Sequence, residues 1–120
     1  MKIQDEMTIR EVQETFSNLY PGLKIEFYNK PHEKFDGSQS TDQLDPEVKL
    51  GSLHTGKEWR SDDLKLSAQS KVADIEAAFE KNFGLHVQIF RRSKELWLQT
   101  STTDDWSLEK QNLKGIHSTQ

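Results

Sequence analysis

The residues that could do chemistry are four scattered histidines, two adjacent aspartate pairs and one basic, aromatic-flanked turn; there is no cysteine. The absence of cysteine excludes disulfides, thiolate metal sites and a cysteine nucleophile together. His32, His54, His86 and His117 show no ligand spacing, whereas a zinc site needs three or four converging ligands. Asp62-Asp63 and Asp104-Asp105 are neighbours, and neighbouring side chains on an extended chain point to opposite sides. Just ahead of Trp106 and Leu108, Asp104 and Asp105 fit helix capping better than an acid–base dyad. The six glycines stand singly, so no glycine-rich loop cradles a phosphate. No catalytic residue, metal ligand or cofactor is expected.

Binding is better supported than catalysis. Phe90-Arg91-Arg92-Ser93-Lys94 reads as a basic turn, and Tyr28, Phe90 and Trp97 fall on one face of the expected sheet. An apolar patch rimmed by polar groups marks an interaction surface, and Trp, Tyr and Arg are enriched in binding hot spots. The candidate surface is therefore Tyr28, Phe90, Trp97, Arg91 and Arg92. The competing reading is that the segment carrying Trp106, Leu108 and Leu113 folds over this patch to finish burial. RNA binding at the same face is a weaker alternative, because the aromatic–basic signature of an RNA-recognition strand is missing.

Two helix–strand patterns must position these residues. Ile9, Val12, Phe16 and Tyr20 fall on one face of a helix, and Val72, Ile75, Phe79 and Phe83 repeat the spacing. Thr8 and Glu11 form a capping box for the first helix, and Ser70 is the expected cap of the second. Gly22 and Gly84 sit where a left-handed helix-ending residue is wanted. Period two then takes over, with Leu23, Ile25 and Phe27 matched by Leu85, Val87 and Ile89. Lead-ins Met1-Lys2-Ile3 and Leu64-Lys65-Leu66 also agree. The pattern reads as a duplicated strand–helix–strand unit.

A hairpin through residues 91–94 leads into a strand at 95–100, whose Leu96 and Leu98 are expected to face the core. Its degenerate counterpart in the first unit is expected around Val48–Leu53. The resulting fold is α+β, a two-layer α/β sandwich of ferredoxin-like type with right-handed crossovers, the alternative being β-grasp-like. A single domain over 1–113 is expected, with a short helix near 104–113 and a frayed tail at 114–120.

The stretch from Pro31 to Asp63 differs from the rest. It holds four basic and eight acidic residues, which accounts for the whole formal net charge of −4. This polar, acidic loop at 31–63 carries Phe35 and Trp59, which either anchor it or meet a partner. The balanced remainder supplies no global field for nucleic acid or an anionic membrane. The start of the chain has no apolar run of secretory length and nothing later could span a bilayer, so the expectation is cytoplasmic.

The blocks Phe79–Phe90 and Leu96–Asn112 resemble those of small uncharacterised bacterial proteins of the Bacteroidetes type, and the resemblance covers most of the chain. It implies no activity, cofactor or catalytic residue. The function expected is a non-catalytic protein-interaction module, with a protein partner or self-association. The alternative is a small-molecule binder or small enzyme with a pocket between the loop and the sheet.

Overall fold

In a computed structural model that describes residues 1–30, 37–53 and 63–119, the chain is a compact α+β domain of three helices and one three-stranded antiparallel sheet. Helix α1 (Ile9–Leu19) runs into β1 (Leu23–Tyr28), and α2 (Val72–Phe83) into β2 (His86–Ser93). Strand β3 (Leu96–Gln99) and α3 (Leu108–His117) complete it. Strand β2 is central, with β1 and β3 on either side. Among the described residues no helix is long and apolar enough to cross a membrane.

The helices form where the apolar spacing placed them. Ile9, Val12 and Phe16 are buried from α1, and Val72, Ile75, Phe79 and Phe83 from α2. Thr8 and Glu11 make the expected capping box. At α2 the expectation differs: Lys71 occupies the cap position with no side-chain bond, while Ser70 Oγ turns back to the Ser67 N–H. Gly84 ends α2 with φ 67°, the left-handed conformation that glycine adopts without steric cost. Gly22 serves a different need. A Cβ there would collide with the backbone of Asn112 and Ile116, and one on Gly115 with the backbone of Gly22. These two glycines let α3 lie directly on the start of β1, where Asn112 Oδ1 accepts from the Gly22 N–H at 2.7 Å.

That contact holds the part of α3 that runs past residue 114. Helix α3 continues to His117, and Ser118 Oγ ties its end to the hairpin, accepting from Lys94 N–H and donating to Arg92 O.

The strands pair with Ile25 opposite Ile89, Phe27 opposite Val87, and Glu26 opposite Gln88. Residues directly opposite share a face, so Leu23, Ile25, Phe27, Val87 and Ile89 form the inner face against the helices. Leu96 and Leu98 were expected to join that core. They lie on the same face, yet are 66% and 41% exposed, because β3 pairs only with the far end of β2, Phe90–Ser93.

The strands expected ahead of each helix are also absent from this sheet. Lys2 makes an isolated bridge with Asp63 instead, and Leu64 N–H bonds to Met1 O, so the two lead-ins pair with each other. Nor is Leu50–Leu53 a strand: it is a turn of 3-10 helix with Leu50 fully buried.

One set of backbone bonds recurs around both helix starts. Ile9 and Arg10 N–H groups bond to Val48 and Pro46 oxygens, and Val72 and Ala73 N–H groups to those of Trp106 and Asp104. Leu50 and Gly51 donate to Met7 and Asp5, while Leu108 and Glu109 donate to Ser70 and Ala68. Bridges Thr8–Lys49 and Lys71–Ser107 complete the parallel.

Candidate functional site

The outer face of the sheet carries Lys24, Glu26 and Tyr28 from β1, His86, Gln88, Phe90 and Arg92 from β2, and Trp97 and Gln99 from β3. It divides into a closed end and an open end. The stretch after Gly37 lies against the closed end. Ser38 exchanges two bonds with the Gln99 side chain, and Gln43 Nε2 donates to Glu26 Oε2 at 3.2 Å. The tail therefore does not close this face. Trp106 stacks with Arg91 at 5.5 Å and Lys110 at 3.9 Å, and Arg91 belongs to the inner face opposite Leu23 and Leu98. Asp104 is not a cap, since Ser107 caps α3 and Asp104 is fully buried.

Beneath the closed end lies a buried polar group that sequence reasoning missed. Gln13 on α1 donates from Nε2 to Ile25 O at 2.9 Å and to Glu26 Oε1. On α2, Glu76 accepts through Oε2 from Ile89 N–H at 2.9 Å and Gln88 Nε2 at 3.3 Å. Helix side chains thus stand in for a neighbouring strand where no strand runs. The only signal in the sequence is the Gln-to-Glu exchange at matching helix positions, with the reverse exchange between Glu26 and Gln88 on the strands.

Tyr28, one of the expected surface residues, is buried here at 2% exposure. Among the described residues its hydroxyl has no hydrogen-bond partner. Burial, followed by the nearby Glu26 and Glu76 carboxylates, pushes its phenol well above the ordinary value of 10.0. Tyr28→Phe should therefore raise stability by about 1 kcal/mol near neutral pH, because it removes a buried hydroxyl left unbonded. The pH dependence has a definite sign. Above pH 10 the unfolded chain releases the phenol proton while the folded chain keeps it, so wild-type stability falls. Urea midpoints measured on either side of that pH should fall less steeply for Tyr28→Phe than for wild type.

The open end holds the other expected residues. Phe90, Arg92 and Trp97 are half-buried and stand together, with Lys24 joining them. Lys24 Nζ lies 5.0 Å from the Phe90 ring and 5.3 Å from that of Trp97, and the Arg92 guanidinium lies 5.2 Å from Trp97. Two cations on two rings make a compact patch at cation–π distances. A cavity of about 290 Å³ opens beside it, lined by Gln13, Glu14, Ser17, Lys24, Glu26 and Trp97 among others.

A second cavity of about 250 Å³ lies along α2, between Asp74, Glu76, Glu80, Val87 and Asp104. Next to it His86 Nδ1 meets Glu80 Oε1 at 2.5 Å, so His86 is partnered rather than freely solvated. Among the described residues there is no group of three or more His, Asp or Glu able to hold a metal. Phe35, Trp59, His32 and His54, together with much of the acidic loop, lie outside the described residues.

No family model, curated protein or solved structure matches this chain.

Proposed function

We propose that the protein is a non-catalytic interaction module whose contact surface is the patch of Lys24, Phe90, Arg92 and Trp97. The observation that carries this reading is the pair of half-buried rings, each with a cation over it, on a sheet face that its own tail leaves uncovered. Aromatic and arginine anchors of this kind dominate binding energy where they occur. Tyr28 and Arg91 lie outside the patch, one buried under the closed end of the same face and one turned to Gln111 on the inner face.

The same reading takes the chain as two copies of one helix–strand unit. The recurring bonds at the two helix starts support it, as does the placement of Glu26 opposite Gln88 with Gln13 and Glu76 behind them. A duplicated layer of this kind supplies a rigid sheet, and the second copy alone adds β3 with Trp97.

The test is affinity capture with wild type and the Phe90→Ser/Trp97→Ser double variant, both first shown to be folded by circular dichroism. A partner identified with wild type and then measured directly should bind the variant at least about 30-fold more weakly, the cost of losing a hot spot. Equal affinity for both proteins would remove the patch from the interaction.

A further inference from the structure

The sheet has two edges, and the chain treats them differently. Along β1 the outward carbonyls are all bonded: Ser17 Oγ donates to Leu23 O, Gln13 Nε2 to Ile25 O, and Leu44 N–H to Phe27 O. Strand β3 has no such cover among the described residues. Arg92 N–H bonds back to Gly22 O, so Arg92 faces β1 and its neighbours Arg91 and Ser93 face β3. Their partners Leu98 and Leu96 turn toward β2, and alternation sends the backbone groups of Trp97 and Gln99 outward. No described residue bonds those groups. Exposed Leu96 and Leu98 flank them. Unpaired strand groups select an extended backbone as their occupant.

We propose that the occupant is β3 of a second copy of this chain, antiparallel about a two-fold axis, with Trp97 opposite the partner's Trp97. In this register Leu96 faces the partner's Leu98, and Leu98 the partner's Leu96, so both exposed leucines are covered at once. A shift of the register by one pleat repeat pairs only one of the two leucines, with its own copy, and carries the other past the end of the four-residue strand. The charges agree as well. The four residues that meet, Leu96 to Gln99, carry no charge, so no like charges are opposed. The edge is thus complementary to itself, which an isologous contact requires. Because the β1 edges are covered, the assembly closes at two copies and six strands.

The contact is short, with four residues in each strand, so association belongs in the weak class of small interfaces. Sedimentation equilibrium over roughly ten micromolar to one millimolar should show the 13.9 kDa chain moving toward twice its mass. Leu96→Lys, at an exposed position, should stay folded and dissociate at least about tenfold more readily. The double variant Leu96→Lys/Leu98→Glu should regain dimer, because only this register sets its opposite charges face to face at both ends of the contact. Wild type that stays monomeric throughout, or a dimer indifferent to Leu96→Lys, or a double variant no better than the single one, would each overturn the proposal. The proposed patch is judged separately through Phe90→Ser, which lies one strand in from the edge. That variant should dimerise like wild type, and an effect on an identified partner then reports on the patch alone.

Discussion

Phe79→Ala should remove about 3–5 kcal/mol of stability, a cost typical of truncating a buried aromatic to alanine. Phe79 is fully buried on α2, where its ring meets that of Phe27 edge-on at 5.8 Å and that of Phe83 at 6.0 Å. It therefore joins α2 to β1 across the core. Truncation loses the transfer energy of the ring, leaves a cavity and breaks two aromatic contacts. A domain of this size has only about 5–15 kcal/mol in hand, so the variant should be marginally folded at 25 °C. Urea unfolding followed by circular dichroism is the check. Phe90→Ala on the half-exposed outer face is the control, with an expected cost well below that of Phe79→Ala. A loss under about 1 kcal/mol for Phe79→Ala would mean that α2 and β1 do not share one core there.

Much of that core was legible in the residues because burial leaves a period. The spacing of Val72, Ile75, Phe79 and Phe83 can satisfy only one helical face, and Leu23, Ile25 and Phe27 only one face of a strand. Alternation names a face but does not say what lies over it. Leu96 and Leu98 share the inner face and yet stay exposed, because β3 is offset past the helices. Tyr28 shares the outer face with Phe90 and is buried, because residues 38–43 return over one end of it.

Local signals fail where a distant segment supplies the reason for a residue. Gly22 looked like a helix stop, but its bareness admits α3, about ninety residues further along. Gly115, within the stretch expected to be a tail, is the other side of the same contact. Ser70 had the right chemistry for a cap, and the backbone carbonyls of Trp106 and Asp104 meet the first N–H groups of α2 in its place. Gln13 and Glu76 gave the least warning. A polar residue on a helix usually marks the solvated side, and only the unfilled edges of the strands call these two inward.

Glu76→Ala should cost about 2–4 kcal/mol through the groups it leaves behind. Strand β3 pairs only with Phe90–Ser93, so the Ile89 N–H has no strand partner on that side and depends on Glu76 Oε2. Gln88, fully buried on the outer face, directs its amide to the same oxygen. Alanine removes that acceptor from both donors at once, at two residues that are fully buried. Glu76→Gln keeps an oxygen within reach of both donors and should retain most of the stability. The matching change on α1, Gln13→Ala, should cost only about 1 kcal/mol. It strips a donor from the Ile25 carbonyl, and an under-bonded carbonyl is cheaper than an orphaned N–H. Hydrogen exchange at the Ile89 amide separates this local account from general loosening. In Glu76→Ala that amide should lose more protection than that of Lys24, which faces β2 opposite Phe90, whereas equal losses at both positions would rule out Glu76 as the specific support of this edge.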